Sequence, residues 1–438
     1  MIRSRLVALC SLAGAVVVFA ALTVTLPVAA DPATVVRYPR SGATTTYRGL
    51  AFDTCTAPPL TTMQAWRASP YRAVGVYIGG VNRGCRQPEL TASWVTATTR
   101  MGWRLLPVYV GRQARCGSRP DAVKIRPALA ADQGRQDGQD AAERARALGM
   151  RPGTAVYADM EHYAANAPRC RDAVLEYLSA WVRQMHRRGY LAGVYAHQDS
   201  GALHLAQAHG SRSHARPDAL WIARWDLSDS LTGWPTVPNA YWRTAQRAKQ
   251  YRGDHLETWG GVTLNIDNDR LSAPVATVAR AYRVTGTTRL RARTGPAPRH
   301  PVARTYAGGT TVAVVCQTNG RRVRGSRVWD NLASGVYVPD AFLTTPGRGR
   351  FTRALPRCGY GYQVRAPGGA PVHARPRVSR RVVATLPAGA LARVVCQRRG
   401  STVGRTSVWN KVGEGRWVSD RHVATPRRTG FTRAIPRC

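Results

Sequence analysis

The chain has 438 residues, with 64 basic against 24 acidic side chains and a formal net charge of +40. Arginine supplies nearly all of the positive charge, since the only lysines are Lys124, Lys249 and Lys411. Such a charge draws a protein to polyanions without naming one. The sequence lacks CxxC pairs, a P-loop, a Rossmann glycine pattern and a G-x-S-x-G elbow, which turns the reading away from zinc-ribbon, redox, nucleotide and serine-hydrolase chemistry.

In chain order, residues 1–30 read as a secretory signal peptide. Arg3 and Arg5 form a basic start, Leu6 to Val28 is almost uncharged, and Val28-Ala29-Ala30 precedes a cut at Asp31. Paired arginines are absent, which points to the general export route, and Cys10 leaves with the leader. Residues 31–46 read as a linker. The mature chain then holds eight cysteines: Cys55, Cys85, Cys116, Cys170, Cys316, Cys358, Cys396 and Cys438. An even number in an exported protein reads as disulfides, and a secreted or extracellular location, with possible attachment to the cell wall, follows.

Residues 47–280 alternate short apolar runs with helical stretches, the pattern of parallel strands with helical crossovers. Strands are expected at 50–53, 73–78, 104–110, 155–159, 191–195, 220–225, 249–251 and 263–267. Helices are expected at 60–68, 91–101, 128–148 and 171–188; in the last, Val174, Leu178, Trp181, Val182 and Met185 share one face at 3.6-residue spacing. Eight strands predict an α/β fold, a (β/α)₈ barrel of the TIM type, whose chemistry sits at the C-terminal strand ends. Cys55, Cys85, Cys116 and Cys170 each follow one of the first four strands. Three pairings are open, and neighbouring loops favour Cys55–Cys85 with Cys116–Cys170.

The strand ends are rich in polar residues. Asp159 and Glu161 stand two residues apart on strand four, so both point to one face with roughly 6–7 Å between their Cα atoms. Tyr157 shares that face. Such carboxylates suit glycoside cleavage, in which one protonated carboxyl gives a proton to the leaving oxygen and a second carboxylate acts as base, nucleophile or charge stabiliser. Glu161 is the candidate acid, with Asp159, Asp53 and Asp267 supplying the opposing charge. Tyr77, Tyr109, Tyr195, Arg224, Trp225, Gln250 and Asp269 lie at or near strand ends as candidates for holding sugar. His197, His204, His209 and His214 lack ligand spacing and read as a solvated loop, so neither metal nor cofactor is expected.

The last part of the chain is duplicated at an offset of 80 residues. Val314-Val315-Cys316-Gln317 recurs as Val394-Val395-Cys396-Gln397, and the run from Phe351 to Cys358 recurs from Phe431 to Cys438. Trp329 and Asp340 answer to Trp409 and Asp420. Two small all-β units are expected, at 283–358 and 362–438, bridged by Cys316–Cys358 and Cys396–Cys438. The V-V-C-Q strand, the Trp and the G-x-[YW]-V-x-D ending resemble bacterial SH3-like domains, which implies wall-peptide binding or packing against a catalytic domain.

The large domain also resembles known families. Gly49-Leu50-Ala51-Phe52-Asp53, Ala158-Asp159-Met160-Glu161, Trp221-Ile222-Ala223-Arg224-Trp225, Lys249-Gln250-Tyr251 and Asn265-Ile266-Asp267-Asn268-Asp269 look like glycoside hydrolase family 25 lysozymes. The F-D-T-C-T-A-P, Y-I-G-G-V-N, L-P-V-Y-V-G, K-Q-Y-R-G and G-G-V-T-L-N-I-D stretches are similar to the DUF1906 glycoside-hydrolase-like domain of secreted actinobacterial proteins, over 47–272. The resemblance implies Glu161 as acid with Asp159, Asp53 and Asp267 around it. It also implies hydrolysis of peptidoglycan or a related wall glycan; the alternative is a non-catalytic glycan- or polyanion-binding protein on the same scaffold. Wall polysaccharide, with anionic wall polymers as a second class, is the expected partner. Specific nucleic-acid binding and a membrane contact after leader cleavage are not expected, and the sequence leaves the oligomeric state open.

Overall fold

The computed structural model describes residues 44–438 except 244, 287, 288, 353, 354, 414, 428, 433 and 434. The expected signal peptide, and the linker up to residue 43, lie outside the described residues. Strand β1 (Thr45–Asp53) opens a closed eight-stranded barrel. It is followed by α1 (Leu60–Ala65), β2 (Ala73–Gly79), α2 (Ala92–Arg100), β3 (Arg104–Tyr109), α3 (Ala130–Ala147), β4 (Ala155–Met160), α4 (Pro168–Arg187) and β5 (Leu191–His197). The short helix α5 (Leu203–Gln207), β6 (Ala219–Ala223), β7 (Arg247–Trp259) and β8 (Val262–Val275) complete it. Among the described residues no helix is long and apolar enough to cross a membrane.

Strands β1 to β7 are parallel, but β8 runs antiparallel to both β7 and β1. The expectation of eight parallel strands is corrected here. Trp259 pairs with Val262 across Gly260-Gly261, whose φ values are 59° and 78°. Two left-handed residues make the tight turn that matches strand twist, so the chain turns back with no room for a helix. Asp267 therefore reaches the rim from the other direction, opposite Asp53, with Asp269 one pair deeper beside Gln250.

Strand parity sorts the side chains. Phe52, Val74, Val156, Ala158 and Met160 face the helices and pack with Trp103, Leu178, Trp181 and Met185. Ala51, Ala73, Leu106, Val108, Tyr157, Leu191, Trp221, Ala248 and Leu271 fill the barrel. Gly75 is needed where it stands, because a Cβ there would lie 2.5 Å from the Cβ of Asp53.

The barrel has a built floor. Tyr360, Tyr362, Val364, Leu391, Ala392 and Val394, from the strands Tyr360–Gln363 and Leu391–Val394 and their flanks, are buried in one cluster with the barrel interior. Polar groups close the seam: Leu391 N–H donates to Gln246 (3.0 Å), Gln363 to Asp218 (3.1 Å) and Gly361 N–H to Thr44 (3.1 Å).

Beyond the barrel, among the described residues, regular structure is β apart from single turns of 3₁₀ helix. A six-stranded sheet spans Arg280–Pro339, and a three-stranded sheet spans Cys396–Ser419 with two short strand pairs beside it. The duplication is visible in the bonds. Trp329 Nε1 donates to the carbonyl of Arg321 and Trp409 Nε1 to that of Ser401, each at 2.8 Å. Gln317 and Gln397 likewise anchor buried networks, but with one chemical difference. Gln317 Nε2 donates to Asp330 (2.9 Å) and Asp340 (2.7 Å), whereas Gln397 Nε2 donates to Asn410 (2.9 Å) and Asp420 (3.2 Å).

Burial and then the Asp340 carboxylate hold Asp330 well above the usual carboxylate range. A raised folded-state pKa stabilises the fold below the unfolded carboxylate pKa of about 3.9, and that contribution is lost as pH rises toward the folded value. Asn at this position, as the second copy has, removes the titration. Asp330→Asn is expected to raise stability at neutral pH by about 1–3 kcal/mol and to flatten its decline with pH, read by denaturant unfolding at pH 4 and pH 8. An unchanged pH slope would exclude Asp330 as its source.

Candidate active site

Glu161 follows the last residue of β4, and its backbone is clamped from the side. Gln113, 2% exposed, donates from Nε2 to the Asp159 carbonyl (2.8 Å) and accepts the Glu161 N–H at Oε1 (2.9 Å). One amide thus fixes both ends of the Asp159–Glu161 step. Sequence reasoning missed Gln113 because it stands in a loop with no motif around it.

A second amide organises the floor of the cleft. Gln250, at the inner part of β7, donates to Asp53 Oδ2 (2.9 Å) and Asp267 Oδ2 (3.0 Å). Its Oε1 accepts from Tyr195 (2.9 Å) and Trp225 Nε1 (2.9 Å). All four hydrogen-bonding positions of the amide are used, so Gln250 positions the carboxyls from beneath. Tyr77 completes Asp53 by donating to Oδ1 at 2.8 Å. Asp269 is fully buried and accepts from Trp221 Nε1 (2.9 Å), a support below the cleft.

The cleft itself has a volume of about 440 Å³, and Asp53, Asp159, Glu161 and Asp267 all line it. A neighbouring lobe of about 380 Å³ is lined by Glu161, Tyr195, His197, Ala223 and Trp225. Glu161 and Trp225 belong to both, so Glu161 stands at the junction of a two-lobed groove. Trp225 is 62% exposed and rests over Gly253, while its indole N–H is held by Gln250. A large aromatic face left open beside a carboxyl is the kind of platform on which a sugar ring packs.

Crowding and burial set the charges. Burial, followed by Asp267, raises Asp53 to about 7 against the opposing donations of Gln250 and Tyr77. Burial, followed by Glu161 and Asp53, raises Asp159 well above its usual range, and its Oδ1 has no hydrogen-bond partner among the described residues. Burial also raises Glu161; Asp267 adds to this and Arg119 opposes it. Asp267 is raised by burial too, though the N–H of Asp254 donates to it. The bulges of β7 between Gln250 and His255 aim that N–H at the carboxylate. Glu161 and Asp267 are the partly exposed members of the four, and Asp53 and Asp159 the buried ones. A group of carboxyls that cannot all ionise together will hold protons near neutral pH. Replacing Gln250 by Leu removes both donations, so the Asp53 carboxyl is expected to titrate above about 7, as followed by carbon NMR of labelled aspartate. A downward shift would contradict the assigned bonds.

The other expected site residues divide. Tyr77 and Tyr195 line the groove but commit their hydroxyls to Asp53 and Gln250. Tyr109 is placed outside the cleft, a correction. Its neighbour Val108 takes the inward position, so Tyr109 points to the helices, lies tilted against Trp181 with ring centroids 5.6 Å apart and donates to Asp140 (2.8 Å). Arg224 is turned to Asp226 (2.8 Å), which also holds Lys249, so it does not line the groove. Gln250 and Asp269 act from below rather than as surfaces for sugar. His197, expected in a solvated loop, lies in the groove beside Glu161. Among the described residues no His, Cys, Asp and Glu group could hold a metal ion.

Cys55 and Cys85 both line the cleft. Cys55 is bonded to Cys85 and Cys116 to Cys170; in the duplicated units Cys316 is bonded to Cys358 and Cys396 to Cys438. Four bridges are the mark of an oxidising compartment.

Residues 64–271 match the Rv2525c-like, glycoside hydrolase-like domain. No curated protein matches the chain. Among solved structures the chain is similar to the Mycobacterium tuberculosis Tat-secreted protein Rv2525c in complex with L-tartrate, at 16% identity over 51% of this chain and 96% of that one, with a TM-score of 0.37. The modular autolysin LytC from Streptococcus pneumoniae is 14% identical over 51% of this chain and 46% of its own, with a TM-score of 0.33. A muramidase from Acremonium alcalophilum is 18% identical over 51% and 93%, with a TM-score of 0.31.

Proposed function

Since residues 64–271 form an Rv2525c-like, glycoside hydrolase-like domain, we propose that the protein is a secreted glycoside hydrolase of peptidoglycan or a related wall glycan. The observation that carries this reading is the position of Glu161, a carboxyl of raised pKa at the junction of a two-lobed groove with Asp53, Asp159, Asp254 and Asp267 around it. A glycan chain laid along the groove passes its glycosidic oxygen over Glu161, with rings in both lobes and one against Trp225.

In this reading Glu161 donates its proton to the leaving oxygen. Asp267, partly exposed and held by the Asp254 N–H and Gln250, supplies the negative charge that the oxocarbenium-like transition state needs. Burial and the charge of Asp267 keep the proton on Glu161, while Asp53 and Asp159 lie buried below with raised pKa values of their own. The anomeric carbon then takes its new oxygen from water. In an inverting route the water attacks directly, with the second carboxylate as base. In a retaining route it attacks after a covalent ester to that carboxylate has formed, with Glu161 then acting as base toward the water.

The test is incubation of the mature protein with purified peptidoglycan, followed by mass analysis of the released fragments. New reducing ends are expected. Intact binding with no new reducing ends from any wall glycan would leave the second reading, a binding protein on a hydrolase scaffold.

A further inference from the structure

The outer wall of the barrel has a gap. A (β/α)₈ barrel covers the outside of its strands with helices, but among the described residues none follows β6 or β7. The loop between β6 and β7 meets the wall there instead, and residues of both line a recess of about 490 Å³. One rung of the sheet forms its back: Arg48 of β1 and Arg247 of β7 both pair with Ser272 of β8. Ala51, Ala248 and Leu271 fill the barrel, so strand parity turns Arg48, Arg247 and Ser272 outward into the recess. Arg243 of the loop adds a third guanidinium, and the lining contains no Asp or Glu. The acids of that loop are engaged elsewhere, Asp226 by Arg224 and Lys249 and Asp229 by Arg270.

Arg247 is 3% exposed. Its guanidinium donates to the carbonyls of Leu231, Pro238 and Tyr241 and lies 4.3 Å from the centre of the Trp234 ring. These partners satisfy its N–H groups but bring no counter-charge. Burial lowers its pKa to about 10, with no carboxylate opposing the fall, so it stays charged at neutral pH. A buried cation without a counter-ion is costly, and an anion in the recess supplies one. Arg48 and Arg243 are exposed at the mouth, and neither side chain makes a hydrogen bond or ion pair among the described residues. Asn239 accepts the Gly233 N–H through its oxygen (2.9 Å), which leaves its NH₂ to donate.

A second arginine-lined recess, with Arg146, Arg151, Arg187 and Arg188, has a structural explanation. It sits at the C-terminal ends of α3 and α4, where cations offset the helix dipoles. Glu143 and the Ala333 carbonyl engage Arg188 and Arg151 there.

We propose that the recess on the β7–β8–β1 wall is a binding site for the phosphate of a phosphodiester-linked polymer. Arg48 and Arg243 grip the phosphate oxygens, Asn239 and Ser272 add neutral donors, and Arg247 supplies the buried charge behind them. A phosphodiester presents two free oxygens to such guanidinium forks, and with both forks at the mouth the polymer continues past the site. The recess lies about 16 Å along β1 from Asp53, five residues at roughly 3.3 Å each. It shares no lining residue with the groove, so the proposal goes beyond the glycan-hydrolase reading and stands without it.

The test follows fluorescence anisotropy of a labelled glycerol-phosphate hexamer, which has no glycosidic bond, with the full chain at about 0.15 M salt. Arg48→Gln combined with Arg243→Gln is expected to weaken binding at least about tenfold, the value of one charge-assisted hydrogen bond. Arg146→Gln combined with Arg188→Gln removes the same charge from the other recess and should weaken it less than about twofold, because salt screens distant charges. Equal losses in the two double variants, no binding by the parent, or equally tight binding of a capped hexaglutamate of the same charge would each overturn the site. Displacement of the hexamer by inorganic phosphate or by phosphatidylglycerol vesicles at equal phosphate concentration would assign the recess to the free ion or to a lipid headgroup, and overturn the polymer. Should the Arg48 and Arg243 double variant fail to fold, the hexaglutamate comparison on the parent still decides.

Discussion

Glu161→Gln is expected to lower kcat on wall glycan by about 10²–10⁴-fold while leaving glycan binding close to that of the parent. Gln keeps the shape and the backbone clamp of Gln113 and removes the transferable proton. The pH profile makes the test specific. A general acid must be protonated, so the rate falls as pH rises through its pKa, and Glu161 is raised by burial and Asp267. The alkaline limb should vanish in the variant. Arg119→Gln should shift that limb upward instead, because Arg119 is the group opposing the rise. Equal fragment release by parent and Glu161→Gln would remove the assignment whatever the profile.

Cutting the chain after Cys358 is expected to cost the barrel its cooperative fold. Tyr360, Tyr362, Leu391 and Val394 are buried against the interior residues Ala51, Leu191 and Leu271, so their removal opens the base of the core to water. The acceptor Gln246 and the carboxylate of Asp218 also lose partners there. A single-site form of the test is Tyr362→Ala, which should reduce unfolding free energy by about 3–5 kcal/mol, the usual effect of deleting a large buried aromatic group. Near-ultraviolet dichroism of the barrel tryptophans during thermal unfolding provides the measurement. A truncated chain that melts at the parent temperature would show the floor to be dispensable.

Much of this architecture was legible in the sequence because periodicity reports burial directly. The first six strands and the helices α1 to α4 lie close to where the apolar spacing puts them. The later helices were hard to find for a physical reason: among the described residues only one turn of π-helix (Gln198–Ala202) and the short α5 follow β5, and neither β6 nor β7 is followed by a helix. Strand direction was not legible from strand composition, which reads the same either way. The Gly260-Gly261 turn was the available signal, since a two-residue link cannot join parallel strands.

At the site, Asp53, Asp159, Glu161 and Asp267 do converge, as position on strand ends required. Tyr109 failed by one residue of strand parity. Gln113 was invisible, and His197 was placed in a solvated loop, because in loops and at strand ends no repeat tells which way a side chain turns. The role of Gln113 comes from long-range bonds, such as the one between residues 113 and 161.

The floor of the barrel has a consequence in time. The strands that seal it follow β8 by an entire duplicated module, so a chain emerging from its amino end has all eight barrel strands before it has a base for them. Contacts of such sequence separation form slowly, and an unsealed barrel presents apolar surface that invites aggregation. The base of the barrel core is therefore completed late, and the interval between the last barrel strand and the arrival of Tyr360 is the one in which that apolar surface stays exposed.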